Sequence, residues 1–388
     1  MSVEVRPLGV ECNLGCQYCY QNPERDLGQR PRPYDIERMI ATLASEGQPF
    51  ALFGGEPLLI PLPDLEKLWA FGLERFGHNR LQTNGTLIEQ AHIDAFLRYR
   101  VRVGLSIDGP DELNDARWAG SLARTRAQTE ASIAALRRLC AAGVPTSLIL
   151  TLHQLNASPA RLPRLLAWVR EVDSLGLLGT RLHLLEVDDP AIRERHALSV
   201  ADNLAALDCF AALEPELRMK LDLFGDMRLM LLGEDEQAPC VWRACDPYTT
   251  AAVRSVEGRG ELSNCGRTNK EGVSFGKAEE AAYVRSLILL HTPQEHGGCR
   301  GCRFFLACKG QCPGTAIAND WRNRSEHCEV YLRRFEKLER ELCDQGRVPL
   351  SQHPQRSELE RRIAAAWARG QNPSLKRLLR ELPRDGAP

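Results

Sequence analysis

Three cysteines near the N-terminus constrain this chain more than any other feature of its sequence. Cys12, Cys16 and Cys19 lie within eight residues, in the spacing Cys-x3-Cys-x2-Cys. Such a loop can place three thiolates around one face of an iron–sulfur cluster, whose irons prefer soft sulfur ligands. A four-iron cluster then keeps one iron without a protein ligand, open to a substrate. A zinc knuckle is the alternative, but structural zinc takes four ligands and this loop offers three.

The composition excludes several classes of protein. The 388 residues suggest two or three domains, and the net charge of −1 gives no reason to expect a nucleic-acid partner. No apolar run reaches the ~18 residues that would predict a membrane span. The N-terminus lacks a signal-peptide pattern, so we expect a cytoplasmic protein. In that reducing compartment, fourteen cysteines indicate metal binding rather than disulfides.

The first two-thirds of the chain alternates apolar runs with amphipathic patterns. This alternation predicts a parallel sheet with helical crossovers, and six units predict an α/β fold, a partial (β/α)6 TIM-like barrel. Chemistry in such barrels sits at the carboxyl ends of the strands, where the cysteine loop follows the first strand. The predicted strands are 3–8, 50–53, 80–83, 101–107, 146–152 and 181–187. The predicted helices are 35–46, 62–76, 89–98, 125–142, 159–172 and 199–213.

The cysteine loop, with Tyr18 before its third cysteine, resembles the signature of the radical S-adenosylmethionine (SAM) enzymes. The resemblance implies that the open iron binds SAM and that an electron from the cluster cleaves it to methionine and a 5′-deoxyadenosyl radical. Cys12, Cys16 and Cys19 are then the catalytic cluster ligands, whereas no catalytic base is identified. An external one-electron reductant of flavodoxin or ferredoxin type is implied as a partner.

Polar segments at the next strand ends resemble the family's SAM-binding segments. A Gly-Gly-Glu after strand two is the family's holder of the SAM amino group, and the segments after strands three and four are expected to contact its ribose or methionyl part. Polar caps of barrel loops are the alternative. The predicted contacts are Gly54, Gly55, Glu56, Thr83, Asn84, Ser106 and Asp108.

For two further possible contacts with SAM, the favoured interpretation does not involve SAM. Leu184 or Leu185 would bracket the adenine, but a core leucine is the favoured interpretation. Arg117 would reach the SAM carboxylate, but a solvated arginine at a helix start is favoured.

A second cysteine array follows residue 238 and resembles the SPASM domain throughout residues 240–328. It contains eight cysteines, enough to fill two four-iron clusters, although two four-cysteine zinc sites are the alternative. The resemblance assigns Cys240, Cys245, Cys265 and Cys312 to a first auxiliary cluster. It assigns Cys299, Cys302, Cys308 and Cys328 to a second, so three 4Fe-4S clusters and SAM are the expected cofactors.

These patterns predict three domains. A radical SAM partial barrel covers 1–233, a SPASM domain covers 234–335, and a helical extension covers 336–388. Cys140, Cys209 and Cys343 remain outside both arrays, in helical patterns where a small buried hydrophobe is expected.

The leading functional hypothesis is an oxidoreductase that oxidatively cross-links, excises or otherwise alters a ribosomally synthesised peptide. The second hypothesis is an anaerobic sulfatase-maturating enzyme, which makes formylglycine. Such maturases place an aspartate after an auxiliary cysteine as the proton acceptor, whereas Cys265 is followed by Gly266 and Arg267. A small-molecule radical SAM dehydrogenase, a non-catalytic electron carrier and a zinc scaffold are less favoured hypotheses.

Recognition of a peptide leader is expected to need a partner. Eleven residues precede Cys12, fewer than the ~40 that a domain with its own core requires. A separate leader-recognition protein is therefore slightly favoured over direct binding in the barrel mouth.

The cysteine assignment predicts the iron content of variants. Replacing Cys12, Cys16 and Cys19 together by alanine should remove one of three four-iron clusters, because that cluster would lose all its protein ligands. SAM cleavage should be lost with it, because the open iron that binds SAM belongs to this cluster. Iron analysis of the anaerobically reconstituted protein checks this. As controls, Cys140→Ser, Cys209→Ser and Cys343→Ser should each retain full iron content, and zinc in place of iron would contradict the assignment.

Overall fold

The computed structural model describes residues 3–26, 33–250, 254–268 and 282–383. The chain forms two compact units, one of residues 1–222 with 253–274 and the other of 223–252 with 275–388. The predicted three-domain division at 233 and 335 stays a prediction, and the end of its helical extension, 384–388, lies outside the described residues. Within the described ranges, no helix is both long and apolar enough to cross a membrane.

The first unit is built on a nine-stranded sheet with helices between its successive strands. The strands are β1 (Val3–Arg6), β2 (Phe50–Leu52), β3 (Asn79–Thr83), β4 (Val101–Ser106), β5 (Thr146–Leu152), β6 (Gly179–Leu184), β7 (Lys220–Leu221), β8 (Arg254–Glu257) and β9 (Leu262–Asn264). The helices are α1 (Asn22–Asp26), α2 (Ile36–Glu46), α3 (Leu62–Phe76), α4 (Gln90–Arg98), α5 (Leu122–Ala141), α6 (Gln154–Ala157), α7 (Leu162–Asp173), α8 (Pro190–His196) and α9 (Val200–Leu213).

The strand order confirms the predicted open barrel. Strands β7 to β1 lie side by side in reverse chain order and pair in parallel. Strand β8 adds in parallel to the far side of β1, and β9 pairs antiparallel with β8. Among the described residues, the edge strands β7 and β9 do not pair with each other, so the sheet stays open.

The alternation along β5 shows how the sheet positions a site. Leu148, Leu150 and Leu152 are fully buried, whereas the intervening Ile149 and Thr151 are only half-buried. Successive side chains of a strand point to opposite faces, so one face of β5 enters the core and the other lines the barrel interior.

Local signals explain why the six predicted strands and the long helices lie at nearly the right places. At α2, for example, the Asp35 carboxylate accepts a hydrogen bond from Arg38 N, and Gly47 ends the helix at a φ of 62°. Strands β7, β8 and β9 were not predicted because each contains only one apolar residue. The pairing of β8 with β1 also joins residues 251 positions apart, such as Glu4 and Ser255, which no local pattern indicates.

The second unit is helical and has an aromatic core. Phe335 stacks on Phe304 at 5.5 Å between ring centroids and meets Trp242 edge-on at 5.8 Å. Trp367 is fully buried and packs edge-on against Phe305 at 6.0 Å, so the predicted helical tail contributes to this core. The helices are α10 (Asp222–Leu231), which begins at the unit boundary, α11 (Val284–His291), α12 (Phe305–Cys308), α13 (Cys328–Asp344), α14 (Arg356–Trp367) and α15 (Leu375–Arg380).

A pair of leucines on neighbouring helices tests the described core of the first unit. Leu68 on α3 is fully buried, whereas Leu97 on α4 is 48% exposed. We expect Leu68→Ala to lower the free energy of unfolding by ~2–5 kcal/mol, through lost burial and the cavity left behind. Leu97→Ala should change it by less than ~1 kcal/mol. Urea denaturation followed by circular dichroism measures both, and equal losses would contradict the packing.

Candidate functional site

A cavity of about 190 Å³ lies in the first unit, at the carboxyl ends of its strands. Cys12, Cys16 and Cys19 line it and are half-buried. Five of the seven predicted SAM contacts share this lining, namely Gly54, Gly55, Thr83, Asn84 and Ser106. The structure thus gathers the cysteine loop and three strand ends around one space, as the barrel interpretation requires.

The segment after β2 packs main chain against main chain beneath the cysteine loop. Gly55 N donates to Gly9 O at 2.9 Å, and Glu56 N donates to Glu11 O at 2.8 Å. A Cβ atom at Gly55 would lie 1.8 Å from Glu11 O, far inside van der Waals contact. Only glycine therefore permits this approach, and it fixes the backbone immediately before Cys12.

The other end of the cysteine loop is held by the segment after β4. Gly15 N donates to Trp118 O at 2.7 Å, and Gln17 N donates to Ala116 O at 2.8 Å. The loop is thus hydrogen-bonded on both sides, which limits the positions its three thiols can take.

Two nitrogen donors of the surrounding chain approach the Cys12 thiol. Leu14 N donates to Cys12 Sγ at 3.4 Å, and Asn84 Nδ2 approaches the same sulfur at 3.8 Å. Burial raises the pKa of Cys12 to about 11 and of Cys16 to about 12, and each thiol feels the charge of its neighbours. Binding a metal would therefore release protons from these thiols. Among the described residues, no three Cys, His, Asp or Glu side chains are drawn together as ligands of a single ion, so cluster binding stays a prediction.

Glu56 is part of the predicted contact set but does not line the cavity. Its buried carboxylate accepts hydrogen bonds from Thr83 Oγ1 at 2.7 Å, Asn84 N at 2.8 Å and Leu58 N at 3.0 Å. Burial raises the pKa of Glu56, although these three bonds oppose the shift. Glu56 thus ties the end of β3 to the segment after β2, and its contact with SAM stays a prediction.

Asp108 is likewise enclosed by protein rather than exposed to the cavity. Arg117 binds its carboxylate through two nitrogens, at 2.9 and 3.0 Å, and Thr151 N donates to it at 2.9 Å. The Tyr18 hydroxyl also donates to it, and His153 Nε2 lies 3.4 Å away. Burial alone would raise the pKa of Asp108, but Arg117 and His153 hold it well below its ordinary value. Asp108 thus fixes Arg117 and Tyr18, and its predicted contact with SAM stays a prediction.

The favoured interpretation of Arg117 as a solvated arginine is wrong. Its side chain is 10% exposed, paired with Asp108 and part of the cavity lining, and its guanidinium lies 5.8 Å from the Tyr18 ring. Leu184 and Leu185 are buried and also line the cavity, so a place in the core and a place beside the adenine are compatible. Contacts of these residues with SAM stay predictions.

Among the lining residues that were not predicted from the sequence, three form a connected polar group. Arg267 pairs with Glu186 at 2.6 Å and reaches His183 Nδ1 at 3.3 Å. A guanidinium only donates, so His183 accepts on Nδ1 and carries its ring proton on Nε2. Burial first, then the charge of Arg267, holds the pKa of His183 well below its ordinary value, so the ring stays neutral. In the sequence, His183 and Glu186 are marked only by their place in the predicted strand 181–187. No pattern of neighbouring residues links them to Arg267.

The four cysteines of the predicted second auxiliary set all belong to the second unit. Cys299, Cys302, Cys308 and Cys328 are close enough to raise one another's pKa, after burial as the larger cause. In the predicted first set, Cys245 interacts in the same way with Cys240 and Cys312. The fourth member, Cys265, belongs to the first unit, and its assignment stays a prediction.

The remaining cysteines lie on helices as expected, but burial was predicted wrongly. Cys209 and Cys343 are exposed and Cys140 is half-buried. Each lies on a helix whose other face supplies the buried residues, so a cysteine at these positions is not a core residue.

Residues 7–162 match the family described as the Radical SAM superfamily. Over 361 residues the chain is 26% identical to the serine-type anaerobic sulfatase-maturating enzyme of Klebsiella pneumoniae, covering 86% of each chain. It is 33% identical over 129 residues to the cysteine-type anaerobic sulfatase-maturating enzyme of Clostridium perfringens, covering 30% of this chain and 35% of that protein.

Solved structures share the fold. The native structure named anSMEcpe, with bound AdoMet and Cp18Cys peptide, superposes with a TM-score of 0.65 at 19% identity, covering 88% of this chain and 96% of that one. SuiB of Streptococcus suis bound to precursor peptide SuiA gives a TM-score of 0.51 at 16% identity, covering 84% and 75%.

Two glycines of the site provide a matched test of its geometry. Gly55→Ala would press a methyl group into Glu11 O and displace the backbone before Cys12, so we expect loss of one four-iron cluster. Gly15→Ala, inside the cysteine loop, would meet nothing closer than Trp118 O at 3.8 Å and should keep full iron content. Iron analysis with the absorbance of the reconstituted proteins checks both. Equal loading of the two variants would contradict the described packing.

Proposed function

We propose that this radical SAM enzyme oxidises a side chain in a peptide or protein substrate. The observation that carries the proposal is that the three-cysteine loop, the Gly54–Gly55 main chain, Arg117 and Glu186 line the same cavity. A four-iron cluster and SAM, when bound, would supply the 5′-deoxyadenosyl radical that removes a hydrogen atom from the substrate.

The substrate class is supported by the similar proteins. Relatives that match over most of the chain are named as sulfatase-maturating enzymes, and two solved structures of the same fold contain peptides.

The cofactor would be held by polar groups on one side of the cavity. The main-chain groups of Gly54 and Gly55 suit the SAM amino group, and the Arg117 guanidinium suits its carboxylate. Asp108 fixes the plane of that guanidinium by a two-nitrogen contact, and Glu56 holds Thr83 and Asn84 in the lining.

The lining of the cavity also supplies a proton acceptor, which we assign to Glu186. It is the one carboxylate among the described residues of the lining, and its side chain is 15% exposed. Arg267 holds it at 2.6 Å, and neutral His183 offers an Nε2 hydrogen beside it for orienting a substrate oxygen or sulfur. In maturases an aspartate follows the auxiliary cysteine, whereas here Gly266 stands at that place. Through its ion pair with Glu186, Arg267 instead positions a carboxylate at the cavity.

The oxidation needs an acceptor for one electron as well as one proton. After the hydrogen atom leaves, the substrate radical would give a proton to Glu186 and an electron to an iron–sulfur centre. For that centre we propose the eight cysteines of the SPASM-like region, in the two sets predicted above, as ligands. An external flavodoxin- or ferredoxin-type protein would supply the electron that starts the reaction, and a separate recognition protein would present a leader when the substrate has one.

Two substrates fit this chemistry. The first is a ribosomally made precursor peptide, modified by cross-linking, excision or another oxidation. The second is a sulfatase segment whose cysteine or serine becomes formylglycine, which the similarity to maturases over 86% of both chains favours and Gly266 disfavours.

The test is mass spectrometry of two peptide substrates incubated anaerobically with the reconstituted protein, SAM and a reductant. One is a short sulfatase peptide with cysteine or serine at the modified position, and the other is any short precursor encoded beside this gene. We expect an oxidised product from one of them, together with 5′-deoxyadenosine. SAM cleavage without modification of either peptide would contradict the proposal.

Variants of Glu186 separate proton acceptance from SAM cleavage. Glu186→Gln should lower product formation at least ~100-fold, in line with loss of a general base, while retaining 5′-deoxyadenosine formation. Glu186→Asp should recover part of the rate. Glu171→Gln, an exposed glutamate on α7 paired with Arg137, is the control and should be unaffected. Full turnover by Glu186→Gln would assign the proton acceptor elsewhere.

A further inference from the structure

Arg285 is a buried cation in the second unit that the proposed reaction does not use. It lies on α11, and its side chain is completely buried. Its guanidinium donates to four main-chain carbonyls, namely Trp321 O at 2.7 Å, Gln311 O at 2.9 Å, Asn323 O at 3.0 Å and Gly310 O at 3.1 Å. All three nitrogens of the guanidinium are therefore directed to neutral acceptors.

The positive charge of this guanidinium has no carboxylate partner among the described residues. The Asp246 carboxylate acts on this charge without a side-chain hydrogen bond to it: its Oδ2 accepts from the main-chain N of Arg285, at 3.0 Å, and from the Thr249 hydroxyl. A buried charge is costly unless an opposite charge lies close to it. The second unit thus buries a guanidinium that donates to no carboxylate among the described residues.

Predicted cluster ligands from both auxiliary sets lie next to the groups that Arg285 contacts. Its acceptor Gln311 directly precedes Cys312 of the first set, its acceptor Gly310 lies two residues after Cys308 of the second set, and Asp246 directly follows Cys245. Thiolates that hold an iron–sulfur cluster are anionic, so a loaded cluster would add negative charge close to this guanidinium.

The hydrogen bonds of Arg285 also join the segments that carry the ligands. Its carbonyl partners Gly310 and Gln311 lie in the turn between Cys308 and Cys312, where Lys309, Gly310 and Gln311 have φ values of 52°, 76° and 62°. Such left-handed backbone is costly for the two side-chain-bearing residues and needs outside support. Arg285 thus fixes the turn as well as placing a charge.

We propose that Arg285 is a positioning residue that raises the reduction potential of both predicted auxiliary clusters. This inference rests on the proposed cluster content. A fixed positive charge in a low-dielectric interior favours the more negative, reduced state of a nearby cluster, and it does so for both clusters when it interacts with ligands of both. The charge would make each cluster a better acceptor for the substrate electron.

The test is a redox titration followed by electron paramagnetic resonance on reconstituted protein. Replacing Cys12, Cys16 and Cys19 by alanine in the background removes the signal of the first cluster. In Arg285→Gln, the reduced-to-oxidised ratio at a fixed potential should fall at least tenfold for both auxiliary signals, which is about 59 mV for a one-electron couple. Arg285→Lys, which keeps the charge, should stay closer to the wild-type potentials.

Arg300→Gln is the matched control. Arg300 directly follows Cys299, yet its side chain is exposed, so solvent screens its charge and the potentials should not move. Equal shifts in Arg300→Gln and Arg285→Gln, or loaded clusters with unchanged potentials in Arg285→Gln, would overturn the inference and leave the proposed function intact. A parent protein without auxiliary signals would instead overturn the cluster content on which the inference rests.

If Arg285→Gln fails to fold, the experiment still tells whether the charge of residue 285 is required. If that variant loads no iron, restored loading in Arg285→Lys supports the requirement for charge. Failure of both variants would show that the four carbonyl contacts, and not the charge, are what the second unit requires, and would overturn the proposal.

Discussion

The buried ion pair between Asp108 and Arg117 is the interaction on which the described site depends. Asp108 sits at the end of β4 and is fully buried, so its charge is tolerated only because a guanidinium binds it through two nitrogens. The same carboxylate accepts from Tyr18 in the cysteine loop and from Thr151 N on β5. Removing Arg117 would leave a buried carboxylate without its counter-charge, at a cost of ~3–5 kcal/mol.

Close main-chain packing completes what the ion pair begins. The glycines after β2 let the chain pass directly beneath the residues before Cys12, while Tyr18 connects the other end of the loop to Asp108. The position of the three thiols is therefore set by the ends of β2 and β4 rather than by the loop alone. Groups held by packed elements in this way keep their geometry when a cofactor binds, which is what preorganised chemistry requires.

Much of the fold could be predicted from the sequence because its signals are local. The spacing of the cysteines, the Gly-Gly-Glu segment and the alternation of strand and helix patterns each lie within a few residues of one another. The strand ends also identified Glu56 and Asp108 as important residues, but a sequence cannot tell a carboxylate that lines a cavity from one that holds the lining behind it. That distinction depends on burial and on hydrogen-bond partners from other strands.

The features that were missed all depend on distant partners. Arg117 looks like a solvated arginine at a helix start because its partner Asp108 is not part of any helical pattern. Arg267 lies more than 80 residues from Glu186 and His183, and it reaches them because β8 and β9 extend the sheet beyond β1. The pairing of Glu186 with Arg267 therefore appears only once the sheet is assembled.

The central claim is that the three-cysteine loop holds a cluster with one iron open to SAM in the described cavity. The most direct test is the electron paramagnetic resonance spectrum of the anaerobically reconstituted and reduced protein, recorded before and after addition of SAM. We predict that SAM changes the signal of one four-iron cluster, because its amino and carboxylate groups occupy the open iron. A spectrum that SAM leaves unchanged, from protein with full iron content, would contradict this claim.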